Sequence, residues 1–174
     1  KDSFVVKYST IILSVSQMSE TLFILTIPFF LKRFGIKKVM LMSMLAWVFR
    51  FGLFAYGDPS FAGTTMIIVS CIVYGMAFDF FNISGSLFVE TTTDTTIRSS
   101  AQGLFMMMTN GVGAFLGSKI SGYVIGKYFI SPDGNSDWHG IWLTFSIYAL
   151  VVAAFFTVLF KHKHSLSVDG EIKH

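Results

Sequence analysis

Glu20 lies about halfway along the apolar stretch from Tyr8 to Leu31, and Asp79 about halfway along the stretch from Thr64 to Val89. An acid at the centre of a membrane helix costs roughly 2.5–3.5 kcal/mol on insertion scales, so such residues normally face a bundle interior or a water-filled path and serve transport or proton relay. Gln17 precedes Glu20 by three residues, which puts the two on one helical face with Ser9, Leu13 and Ser16. The amide donates and accepts, and the carboxylate accepts or, once protonated, donates. The pair therefore suits a ligand bearing hydroxyls and ring nitrogens, and both side chains are expected to point into the bundle interior near the depth of Asp79. Bonding to a neighbouring helix is the alternative role, but an amide would do that without the cost of an ionisable group. Tyr74, Phe78 and Asn82 recur every four residues beside Asp79. A phenol and an aromatic face one turn apart, next to a carboxylate, offer a stacking surface to a flat heteroaromatic ring. Desolvation and a nearby second carboxyl both favour the neutral form of an acid, so Glu20 and Asp79 are both candidates for proton coupling.

The elements that must position these residues are membrane spans. Hydrophobic residues make up 53% of the 174-residue chain and charged residues only 13%, about half the share usual in a soluble domain. Charges and helix breakers divide the chain into five apolar blocks, at 9–31, 39–56, 63–89, 101–127 and 140–160, each long enough to cross the roughly 30 Å hydrocarbon layer as a helix. The fold class expected is an all-α membrane protein of five transmembrane helices over residues 1–164, with a polar cytoplasmic tail at 165–174. Lys32, Arg33, Lys37 and Lys38 follow the first block, and Lys161 and Lys163 follow the last. The positive-inside bias makes both places cytoplasmic, and parity puts the Glu90 to Ser100 loop on the same side. The connections at 57–63 and 130–140 carry no lysine or arginine and read as exterior. Residue 1 is then on the periplasmic side. Together with the absence of an export signal before an odd number of spans, this suggests a piece of a longer protein.

The other polar residues have simpler readings. Arg50 either snorkels outward or pairs with an acid, and Lys119 sits deeper, where it could line a central cavity. Gly113 and Gly117, then Gly122 and Gly126, are spaced for close helix approach. Cys71 reads as a small buried hydrophobe. The run from Gly111 to Gly117 follows no strand and is not a dinucleotide loop. Lys161-His-Lys-His164 is a solvated basic flank, not a metal site. No nucleophile and base pair or metal cluster accompanies the carboxylates, which argues against an enzyme; no cofactor, metal or nucleic-acid partner is expected.

Several segments together resemble a known family. The run YGMAFDFFNISGSLFVE (Tyr74 to Glu90), followed by RSSAQGLFMMMTNGVGAFLG (Arg98 to Gly117), is similar to the nucleoside:proton symporters of the major facilitator superfamily, the bacterial nucleoside permeases. SQMSE (Ser16 to Glu20) and WVFRFGLFAYG (Trp47 to Gly57) fit the same pattern. The resemblance implies a twelve-helix carrier in two six-helix halves, with this chain matching helices eight to twelve and the N-terminal half absent. It further implies proton-coupled nucleoside uptake across the inner membrane by alternating access, with Gln17, Glu20, Tyr74, Phe78 and Asp79 in the substrate site. IPFFLKRFGIKKVML resembles the superfamily's basic loop between helices eight and nine but lacks its acidic residue. A sugar or drug carrier of the same fold is the nearest rival reading, and a membrane-embedded enzyme or a non-transporting scaffold the more distant ones.

Overall fold

The computed structural model describes residues 8–161; the expected tail at 165–174 lies outside them. Five α-helices and one π-helical segment run in the order α1 (Ser9–Ala55), α2 (Phe61–Thr92), α3 (Arg98–Met106), the π segment (Met107–Gly113), α4 (Ala114–Tyr128) and α5 (Trp138–Leu159). At 47 residues α1 is too long for one crossing, and it breaks at Gly35, whose φ of 75° and ψ of 166° are non-helical. That backbone region is open essentially to glycine alone. Helix therefore runs through the basic residues Lys32 and Arg33 up to Gly35 and resumes at once, whereas the sequence suggested a loop over 32–38. The arms on either side of Gly35 correspond to the first two apolar blocks. Among the described residues, three helices are long and apolar enough to span a membrane: α1, α2 and α5. The block at 101–127 is instead divided among α3, the π segment and α4, although the backbone stays helical through both joints, at Met107 and Ala114.

The second helix is the wedge of the bundle. Phe80 of α2 is fully buried with Ile27 and Val39 from the two arms of α1, and Phe23, Phe30, Leu31, Phe34 and Met76 close around them. Polar bonds fix the register of α2 on both arms. Ser19 Oγ of the first arm donates to the Ile72 carbonyl at 2.5 Å, and Ser43 Oγ of the second donates to the Ala77 carbonyl at 2.6 Å. Each satisfies a hydroxyl that would otherwise be orphaned away from water. The α2 N-terminus is capped by Ser60, whose hydroxyl accepts from the Gly63 amide at 3.1 Å and donates to Asp58. At 32 residues, α2 is about 48 Å long.

The fifth helix lies antiparallel along the second arm of α1. Lys37 Nζ donates to the Thr157 carbonyl at 2.9 Å, Ser146 Oγ to the Val48 carbonyl at 2.8 Å, and the His139 ring meets the Ala55 carbonyl at 2.7 Å. Phe51 stacks on Trp142 between them. By contrast, the 98–128 stretch is attached mainly at its start. Gln102 Nε2 donates to the Ser86 carbonyl at 2.7 Å, Ser86 Oγ donates back to the Gln102 amide oxygen at 3.0 Å, and the Phe105 ring lies over Gly85. Beyond these contacts most of the π segment and α4 is exposed. Gly117, Gly122 and Gly126, expected to mediate close helix approach, face open space among the described residues.

Candidate functional site

The first arm of α1 and α2 approach closely at Gly75. A Cβ there would stand 2.6 Å from the Glu20 amide nitrogen and 2.8 Å from the Glu20 Cα, so the two backbones touch only because Gly75 has no side chain. Ser19, the residue before Glu20, bonds the carbonyl of Ile72, three residues before Gly75. These two neighbours set Glu20 at the level of Tyr74 to Asp79. Gly75 was not among the glycines that the sequence spacing selected, because a single glycine in an apolar run carries no pattern.

Around this crossing the expected residues differ in burial. Asp79 is 7% exposed, and its Oδ2 is buried with no hydrogen-bond partner among the described residues. Glu20 is half-buried and lies across the Gly75 contact from the α2 segment that carries Tyr74 and Asp79. Tyr74 is half-buried, and Phe78 is exposed beside it. Their rings lie 5.9 Å apart and 24° from parallel, the stacked arrangement expected from their spacing. Glu20, Tyr74, Phe78 and Asp79 thus form one constellation of two acids beside an aromatic shelf. Gln17 does not join its buried part. It is exposed and lines a shallow hollow with Thr10, Leu13, Ser14 and Met18, on a side where no described helix packs.

Asn82 donates its amide to the Phe78 carbonyl at 3.0 Å, a local bond within α2. Arg50 makes no ion pair among the described residues, contrary to one of its two expected roles. It donates to the Ser70 carbonyl at 2.9 Å and lies against the rings of Tyr74, Phe54 and Trp47. Lys119 is exposed, with its ammonium 5.9 Å from the Phe115 ring. Cys71 is buried and free, as expected.

A family model described as "Nucleoside H+ symporter" matches residues 1–165. The chain belongs to this nucleoside H+ symporter family. Among curated relatives it is 63% identical to the xanthosine permease of Escherichia coli (strain K12) over 99% of its own length and 40% of the permease. It is 57% identical to the nucleoside permease NupG of the same organism, over 93% of this chain and 38% of the relative. The chain therefore spans about 40% of the length of the curated relatives it matches. A crystal structure of the nucleoside transporter NupG superposes with a TM-score of 0.85 at 56% identity, covering 92% of this chain and 39% of that one. A mutant form of NupG gives 0.86 at 55%, with the same coverage. The family and its apolar helices make this symporter-family chain a multi-pass membrane protein.

Proposed function

We propose that the chain contributes helices eight to twelve of a proton-coupled nucleoside carrier of the bacterial inner membrane. The five crossings in this reading are the two arms of α1, α2, the 98–128 stretch and α5. Lys32, Arg33, Lys37, Lys38 and Lys161 then mark the cytoplasmic side, and residue 1 begins on the periplasmic side. A six-helix N-terminal half packs against the exposed face that carries Gln17 and Phe78, and the substrate binds between the halves. Alternating access rocks one bundle against the other about that site.

The observation that carries the proposal is the buried Asp79 with its unpartnered Oδ2, one turn from the Gly75–Glu20 crossing. Buried acceptors are nearly always satisfied, and a lone carboxylate is costly at membrane depth. A bound proton or a substrate hydroxyl relieves that cost, and a symporter supplies both in turn. In this mechanism Phe78 stacks on the base, with Tyr74 closing the pocket beside it. Gln17 bonds the base or sugar, while Glu20 and Asp79 take ribose hydroxyls and carry the coupling proton. The identity to a xanthosine permease and a nucleoside permease supports nucleosides over other polar solutes.

The test is uptake of labelled nucleosides into cells producing the complete carrier, with and without a protonophore. Accumulation that collapses on uncoupling, and that unlabelled nucleosides but not hexoses inhibit, is the expected result. Inhibition by hexoses alone would make the protein a sugar carrier of the same fold.

A further inference from the structure

We propose that Arg50 is a positioning residue for the nucleoside site, holding the Tyr74 ring, and through it the Phe78 ring, in the orientation that receives a base. This rests on the nucleoside reading above. Arg50 lies in the second arm of α1, opposite the α2 segment that carries both aromatic residues. Its guanidinium has two anchors on that segment. Nη1 donates to the Ser70 carbonyl at 2.9 Å, and the guanidinium carbon stands 4.4 Å from the centroid of the Tyr74 ring. The carbonyl and the ring are one helical turn apart, so one planar cation spans both and fixes the ring relative to its own helix. The rest of the cage is aromatic. Phe54 and Trp47 lie 5.0 and 5.8 Å from the same cation, and Trp47 presents itself edge-on to Tyr74 at 5.9 Å and 84°. Tyr74 passes this constraint on through its stack with Phe78.

A half-buried guanidinium in a membrane helix, with no carboxylate to pair it among the described residues, is an expensive way to fill space. Methionine or leucine would fill it without that cost. What arginine adds is a flat donor that bonds a carbonyl while lying against a ring, which lysine cannot reproduce. Arg50 touches neither the proposed base position nor the acids, so its effect must pass through Tyr74.

The experiment compares nucleoside transport by the complete carrier and its Arg50→Met, Arg50→Lys and Tyr74→Leu variants, and by the doubles Arg50→Met/Tyr74→Leu and Arg50→Lys/Tyr74→Leu. Labelled uridine is the probe, and rates are normalised to the amount of membrane-inserted protein. Arg50→Met is expected to raise KM about tenfold, between the sizes of an exposed and a fully desolvated cation–π contact, with maximal rate within about twofold. Arg50→Lys should recover part of the loss. Each double variant should be no worse than Tyr74→Leu alone, because a residue that acts through another adds nothing once that other is gone. An unchanged KM in Arg50→Met, or additive losses in its double variant, would overturn the proposal. Should Arg50→Met fail to insert, the proposal stands or falls on Arg50→Lys: a raised KM in the single variant that disappears on the Tyr74→Leu background supports it, and an unchanged or additive KM refutes it. Failure of the unmodified carrier to take up uridine or any other nucleoside would instead count against the nucleoside reading, a separate outcome.

Discussion

At the scale of single residues, Asp79 and Gly75 do different work at one crossing. Asp79 supplies a buried carboxyl oxygen, Oδ2, with no hydrogen-bond partner among the described residues. In the complete carrier, Asp79→Asn keeps a neutral hydrogen-bonding group in place but removes the exchangeable proton. Uptake driven by a proton gradient should then be lost, while exchange of nucleoside between the two sides continues. Glu20→Gln applies the same test to its neighbour, and only the coupling acid should separate the two activities; gradient-driven accumulation by both variants would end the proton role of this pair. Gly75 acts through absence. Adding a methyl there drives it into the backbone of Glu20, and the arm cannot yield as a flexible side chain would. Gly75→Ala should destabilise the protein by about 1–3 kcal/mol, visible as a lower melting temperature in detergent, and should weaken nucleoside binding by parting Glu20 from Asp79. A variant with wild-type stability and affinity would show that the crossing tolerates spreading.

The elements were largely legible in the sequence because membrane helices are long, uniform and bounded by charge. The blocks at 63–89 and 140–160 differ from α2 and α5 by only one to three residues at each end. The turn between the first two blocks was less legible. Lys32, Arg33, Lys37 and Lys38 look like a solvated loop, yet helix is compatible with all four, and one residue with φ of 75° reverses the chain. Gly35→Ala should cost about 1–3 kcal/mol, read as lost thermal stability with little change in the affinity of correctly folded carrier. The acids and the aromatic shelf were readable because an acid in an apolar run is conspicuous and i, i+4 spacing is geometric. Arg50 was not, since the carbonyl and the nearest ring that hold it come from another helix and neither is a carboxylate. Gln17 shares a face with Glu20 by spacing, but which face packs is a tertiary property, and Gln17 is exposed.

On the scale of the whole molecule, the proposed half-site rests on the exposure of Phe78 and Gln17 and on the weak attachment of the stretch from Met106 to Tyr128. The chain reconstituted alone in liposomes should bind to the bilayer yet fail to accumulate labelled nucleoside, because one wall of a two-walled site cannot alternate. Accumulation by the isolated chain would refute the two-half mechanism. The length of α2 has a consequence for the lipid around it. About 48 Å of helix must fit a hydrocarbon layer near 30 Å by tilting or by emerging from it, and a helix's tilt responds to bilayer thickness. Tilt of α2 changes the angle at which it crosses the first arm of α1 at the Gly75 contact with Glu20. Acyl-chain length therefore becomes an indirect control on the separation of the two acids. Transport in vesicles of graded lipid length should peak at one thickness and decline on both sides; a flat profile would mean that the arms of α1 follow α2 as a rigid unit.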